Sequence, residues 1–252
     1  MNRKRKHPAR FNNPIRRRLL GLLEQHFIPE LAEIISDYEG EGDFKMIDRA
    51  ARQGDGLAVE LCFRGGVDVN EVVHAYNWGT PLNAACRHGH ATLAKWLVEE
   101  AGALVNQEDA QGRTSLHAAC RNGDLTLAKW LVAAGALVNS KKLLHAACLN
   151  GHLAVAQWLV GCGADVNMVN QHGWSPLMRA CAAEVDDLSM VQWLVTEARA
   201  NVHMTSTEGV NFLCPYNNGV PMGATALDIA TIEYNYAMVE FLGPFFPTVP
   251  AS

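Results

Sequence analysis

Ten histidines and seven cysteines in 252 residues could supply a metal centre, a thiol nucleophile or a general acid–base pair. Their spacing decides which of these is open. Zinc sites take cysteines or histidines a few residues apart, and the chain has no Cys-x-x-Cys pair or metal-spaced histidine pair. It also has no Gly-x-Ser-x-Gly and no phosphate-cradling glycine loop. Instead, Cys86, Cys120, Cys148 and Cys181 each stand four residues after an anchoring residue, always leucine. His117 and His145 stand one residue after it, and His90 and His152 each follow a glycine. Cys214 lacks a neighbouring cation to favour its thiolate. Residues that recur in register serve the register. No catalytic residue, cofactor, metal or small-molecule substrate is expected.

The register is a repeat. Pro81-Leu82-Asn83-Ala84-Ala85-Cys86-Arg87-His88-Gly89, Ser115-Leu116-His117-Ala118-Ala119-Cys120-Arg121-Asn122-Gly123 and Leu143-Leu144-His145-Ala146-Ala147-Cys148-Leu149-Asn150-Gly151 are versions of one phrase. Pro176-Leu177-Met178-Arg179-Ala180-Cys181 is a looser fourth. The anchors Ile47, Leu82, Leu116, Leu144, Leu177 and Leu227 are spaced 35, 34, 28, 33 and 50 residues apart. Thr80-Pro81 and Ser175-Pro176 predict helix starts, a hydroxyl cap followed by proline at the first helical position. The alanines and cysteines behind each anchor make a thin helix that neighbours can approach, with the cysteines as small buried hydrophobes. Glycine then ends it in the left-handed conformation. A second helix follows, with Leu93, Trp96 and Leu97 on one face, repeated by Leu127, Trp130 and Leu131 and by Val155, Trp158 and Leu159. Trp193 is the fourth of this column, displaced two residues by Glu184-Val185-Asp186-Asp187. No such unit closes its own core, so neighbours must stack.

In these phrases the chain resembles the ankyrin repeat family, whose unit is a β-turn followed by two antiparallel helices. The resemblance implies an all-α ankyrin-repeat solenoid of about six units including caps, over roughly residues 44–246. In this partition residues 1–14 form a basic arm, 15–43 a helical N-terminal segment and 247–252 a tail. The family's structural histidines fall in the phases of His117, His145, His90 and His152. Asn83, Met178 and Asp228 replace the first of these, so their units are expected to lose a hydrogen bond at the turn. The end units are caps: residues 44–70 lack the Thr-Pro entry, and Met238, Val239, Phe241 and Leu242 form the last outer-helix core face.

Two departures stand out. Only four residues separate Asn139 from Leu144, against nine between Asn106 and Leu116. This predicts a notch in the row of finger turns, lined by Lys141 and Lys142. Conversely, nineteen residues (204–222) stand between His203 and Gly223, where five stand between Asn106 and Gly112. That insert carries Val210, Phe212, Leu213, Cys214 and Tyr216, apolar enough to pack back on the body.

The net charge is −5. Residues 1–18 hold eight basic side chains and no acid, a local +8 that leaves −13 for the rest. An acidic body repels phosphate, so nucleic acid is not expected as a partner. No apolar run reaches the roughly 18 residues that span a bilayer. With an odd cysteine count, a cytoplasmic or nuclear, unsecreted chain is expected. Arg3-Lys4-Arg5-Lys6 with Arg16-Arg17-Arg18 looks like a two-part nuclear import signal. Residues 15–38 form two amphipathic stretches parted by Pro29, and Ile28–Ile35 faintly resembles the opening of an F-box. That resemblance implies an alternative function, a substrate receptor of a ubiquitin ligase. Otherwise the pair covers the first repeat's edge.

The family resemblance implies an adaptor or scaffold that binds another protein on its concave side. By phase, the exposed positions before each helix-ending glycine include Arg52, Arg87, His88, Arg121 and Asn122, the arginines forming a ladder. Finger positions add Trp78, Arg113, His172 and Trp174. Arginine and tryptophan are favoured interface anchors, and the arginines point to an acidic or mixed acidic–apolar partner segment.

Overall fold

The structure, a computed structural model, describes residues 43–71, 79–138, 141–183, 188–207 and 220–246. Among them are twelve α-helices and one short 3-10 helix, with no β-strand. The chain divides into two units, Met1–Gly112 and Arg113–Ser252.

The first unit contains α1 (Asp43–Gln53), α2 (Gly56–Arg64), α3 (Pro81–Arg87) and α4 (Ala91–Glu99). Inner helices α1 and α3 pack on each other, and each pairs with the outer helix that follows it. The second unit contains α5 (Ser115–Asn122), α6 (Leu125–Ala133), α7 (Lys141–Leu149), α8 (Leu153–Gly161), α9 (Pro176–Cys181), α10 (Leu188–Thr196), α11 (Ala226–Ile232) and α12 (Tyr236–Leu242), then the 3-10 turn Gly243–Phe245. Its inner helices α5, α7, α9 and α11 pack in series, each backed by its outer partner.

Side chains start the inner helices as the sequence predicts. Thr80, Thr114, Ser175 and Thr225 are N-caps whose hydroxyls accept from the third helical N–H, with proline next at Pro81 and Pro176. Behind them the anchors Ile47, Leu82, Leu116, Leu144 and Leu177 are buried, as are Cys86, Cys120, Cys148 and Cys181. Leu227 is only half-buried, because no further inner helix among the described residues lies against α11. Burial pushes the Cys120 and Cys181 thiols up to about 12 and raises Cys148 as well. These thiols stay protonated and inert.

The outer helices bury Leu93, Leu97, Leu127, Leu131, Val155 and Leu159. Trp96, Trp130 and Trp158 are half-buried, and Trp193 is buried. Trp96 meets Phe63 of α2 edge-on, ring centroids 5.9 Å apart. In α12, Met238 and Leu242 are buried whereas Val239 and Phe241 are half-buried, so only part of the expected core face is covered.

Contacts between successive repeats are polar as well as apolar. The glycines ending α1 and α5, Gly54 and Gly123, have φ +74°. A Cβ on either would stand 2.5 Å from Nδ1 of a histidine one repeat later, His90 or His152. Glycine there both turns the chain and makes room for the ring. His90 Nε2 donates to the Arg52 carbonyl at 2.8 Å, and His152 Nε2 to the Arg121 carbonyl at 2.9 Å. A carbonyl only accepts, so the Nε2 tautomer is set. Neither ring caps its own outer helix, whereas Asp55 and Asp124 in the same phase do. Asn70 accepts from Leu104 N and Asn167 from Asn201 N, each at 2.7 Å. The Val-Asn that closes a repeat thus clamps the next.

The first-phase histidine His145 is buried and donates from Nε2 to the Trp174 carbonyl at 2.8 Å. Of the three replacements expected to lose this bond, Asn83 keeps one to a later turn, and Met178 and Asp228 bond to their own N-caps instead. Asn83 Nδ2 donates to the Gln107 carbonyl at 3.4 Å. Met178 Sδ accepts from Ser175 N, and Asp228 Oδ2 accepts from Thr225 N and Oγ1, both reaching back to their own N-caps. Met178 and Asp228 find local partners, whereas Asn83, like His145, reaches a later turn of the chain.

The shortened finger is seen in part: α7 begins at Lys141, three residues before its anchor, where α5 begins one before. Residues 139–140 lie outside the described residues. So does most of the insert, 208–219, with Cys214. Its base is closed by Ser206: its N–H donates to the Ala224 carbonyl, its carbonyl accepts from Gly223 N, and Val220 beside it is buried.

Candidate functional site

The last turns of α1, α3, α5 and α7 leave the stack. Arg52, Arg87, Leu149 and Asn150 are half-buried there, while Gln53, His88, Arg121 and Asn122 are exposed. One turn earlier the same helices are closed by alanine and cysteine. This change from buried to open within one turn creates a polar rim on a rigid base.

In the first unit the rim arginines are held by acids from other turns. Arg52 Nη2 donates to Asp48 Oδ2 at 2.7 Å, and its Nε donates to the Asp48 carbonyl. Arg87 Nη2 reaches Asp109 Oδ2 at 3.2 Å across 22 residues. The two arginine side chains remain 29% and 31% exposed, whereas both carboxylates are buried. Burial raises the Asp48 pKa against the pull of Arg52, Arg87 and His88. Asp48 Oδ1 is buried with no hydrogen-bond partner. His88 is pushed down by partial burial and then by His90, Arg52 and Arg87, with Asp48 opposing. His88 lies near His90, ring centroids 6.5 Å apart and nearly parallel.

Sequence reasoning missed both acids. Asp48 sits one residue after its anchor, in the first-phase histidine position, so its departure was visible there. Asp109 opens the finger turn, accepting from Gln111 N and Gly112 N. Nothing local in the sequence ties it to Arg87.

Arg121 and Asn122 are exposed in the second unit, and Arg113 and His172 are half-buried on its finger turns. His172 N donates to Asn170 Oδ1 in a side-chain-closed turn. Trp174 is corrected. It is 2% exposed, packed beneath the finger with Arg179 over its ring at 5.7 Å, so it stabilises the turn and is no surface anchor. Trp78 lies outside the described residues, as do residues 15–38 and the basic arm. Nothing among the described residues favours the ligase-receptor alternative.

The family model for ankyrin repeats (3 copies) matches residues 47–142 and 144–244. The chain belongs to the ankyrin repeat family. Its fold is the all-α ankyrin-repeat solenoid, and ankyrin repeats are protein–protein interaction modules, typically without catalysis. No curated protein matches the chain. Among solved structures, the human ASB11 ankyrin repeat domain is similar at 26% identity and TM-score 0.62, covering 81% of this chain and 85% of that one. A chain of the Bd0816 predatory endopeptidase of Bdellovibrio bacteriovorus in complex with immunity protein Bd3460 is similar in fold at 22% identity and TM-score 0.62, covering 79% and 97%. No helix among the described residues of this ankyrin repeat chain is long and apolar enough to cross a membrane.

Proposed function

We propose that this ankyrin repeat protein is an adaptor that docks another protein on the rims that the last turns of the inner helices and the adjoining finger turns form in each unit. The observation that carries the reading is the anchoring of Arg52 and Arg87 by buried carboxylates, with nearly a third of each side chain still open. An arginine already held in place loses little side-chain entropy when a partner carbonyl or carboxylate meets its outward N–H groups. Exposed His88 belongs to the same rim in the first unit, and Arg121 and Asn122 are exposed at the corresponding positions of the second.

The test uses exposed positions, because removing Arg52 or Arg87 strands a buried carboxylate and destabilises the fold. His88→Ala with Arg121→Ala should reduce capture of the protein's cellular partner at least tenfold with an unchanged far-UV spectrum. Lys129→Ala, on the exposed face of outer helix α6, should not. Equal capture by all three proteins defeats the proposal.

A further inference from the structure

The turn between α11 and α12 departs from the other repeats at the residue where they place glycine. Gly54, Gly89, Gly123 and Gly151 each stand seven residues after an anchor, with φ between +71° and +78°. Tyr234 stands seven residues after Leu227 and takes the same left-handed conformation, φ +58°. A side chain of that size is strained there, and this one buries little in return, being 67% exposed. Tyr236, the first residue of α12, is 77% exposed. The turn holds both in place. Tyr234 N donates to the Thr231 carbonyl at 3.2 Å, Asn235 N to the Ala230 carbonyl at 2.9 Å and Tyr236 N to the Tyr234 carbonyl at 3.1 Å. Asn235 Oδ1 caps α12, accepting from Met238 N at 3.1 Å.

Glu233 adjoins them at the C-cap of α11. It is half-buried, and its Oε1 is buried with no hydrogen-bond partner among the described residues. Burial raises its pKa, and no described cation opposes that rise. A carboxylate with an idle oxygen gains from an incoming donor, most of all a charged one. The surrounding sequence supplies no such donor. Residues 204–252 hold Glu208, Asp228, Glu233 and Glu240 and no lysine, arginine or histidine, a local −4. Asp228 accepts from Thr225 N and Oγ1. On the helices packed against α11 and α12, Arg179 of α9 lies over Trp174, and α10 (LSMVQWLVT) carries no charge.

We infer that the α11–α12 turn docks an arginine-bearing segment of a partner protein, with Tyr234 and Tyr236 meeting the guanidinium groups and Glu233 pairing with them. Arginine suits both kinds of group: its flat cation stacks on an aromatic face and pairs with a carboxylate through two N–H groups. Tyrosines presented from a fixed turn lose little freedom on binding. Strain at an exposed residue costs the fold, and is recovered only when a partner covers the ring. The turn lies outside the rims on α1, α3, α5 and α7, so this surface goes beyond the docking reading above.

The probe is a fluorescein-labelled peptide with arginine at alternate positions among glycine and serine, compared with its neutral citrulline counterpart. Both are titrated into the full chain at low salt and followed by anisotropy. The arginine peptide should bind more tightly than the citrulline peptide and lose about fivefold in affinity in Tyr234→Gly, in Tyr236→Ala and in Glu233→Gln. Glu240→Gln removes the same charge from α12 and should lose less than about twofold. Tyr234→Gly should also raise the urea midpoint, because glycine relieves the left-handed strain; a residue that serves only the fold would lower it. The double variant His88→Ala with Arg121→Ala should leave peptide affinity within about twofold, so this surface and the rims above can fail separately. Equal binding of the two peptides, undiminished binding in either tyrosine variant, or an equal loss in Glu240→Gln overturns the inference. If the unmodified chain self-associates and Tyr236→Ala abolishes that, the occupant is the basic arm of a second copy and the partner assignment is overturned.

Discussion

Replacing Gly54 with alanine tests whether the helix-ending glycines recur in phase to turn the chain or to admit a neighbour's ring. Gly54 and Gly89 lie in the same unit with nearly the same backbone, φ +74° and +78°. Both substitutions force a Cβ into the left-handed region at about 1–2 kcal/mol, offset by about 0.4–1 kcal/mol from the stiffer unfolded chain. Gly89→Ala should therefore cost about 1 kcal/mol, since nothing lies within 4 Å of its added carbon. At Gly54 the carbon meets His90 Nδ1 at 2.5 Å and Cγ at 2.9 Å. The ring must leave, breaking its 2.8 Å bond to the Arg52 carbonyl. That adds about 1 kcal/mol for the bond and about as much again for strain and lost packing, so Gly54→Ala should cost about 3 kcal/mol. Urea unfolding followed by tryptophan fluorescence and by circular dichroism measures both. The decisive comparison is Gly54→Ala in a His90→Ala background, where its cost should fall to that of Gly89→Ala. An undiminished cost there refutes the ring-admission account. Gly123 with His152 repeats the arrangement in the second unit and should behave alike.

Other consequences are as direct. The buried carboxylate of Asp48 holds its proton more tightly in the folded chain, so its contribution is fully present below about 3.8 and is lost as pH rises through the higher folded value. Asp48→Asn should leave stability at neutral pH unchanged or raise it by about 1 kcal/mol, and a loss above about 2 kcal/mol in urea unfolding would contradict the charge-burial argument. Asn70→Ala and Asn167→Ala each remove a clamp on the following repeat. Each should cost about 1–2 kcal/mol and accelerate amide exchange at Leu104 and Asn201 respectively; unchanged exchange rates speak against the clamp. Cys120 and Cys181 keep their protons to about 12, so stability falls as pH rises from 9 toward that value. At about pH 10.5 each removes about 2 kcal/mol, a fall that Cys120→Ala should reduce. In the native chain Cys162 should react with a thiol reagent while Cys120, Cys148 and Cys181 do not.

Periodicity alone determined the helical hairpins, their hydroxyl and proline starts, their glycine ends and the buried cysteine column, because each follows from residues within one turn of chain. The same logic identified His90, His145 and His152 as structural. Tertiary structure decided what those local signals leave open. Trp174 stands in a finger phase that sequence alone treats as surface, yet packing beneath that turn buries it. Arg52 and Arg87 look like one ladder of exposed charge, but Asp48 and Asp109 neutralise it in the first unit, and the Arg87 partner lies 22 residues away. Asn83 recovers a bond for the missing histidine by reaching Gln107. The physical reason is common to these cases. A repeat phase fixes which way a side chain leaves its helix, while its partner depends on which groups the stacking of neighbouring turns brings within bonding distance.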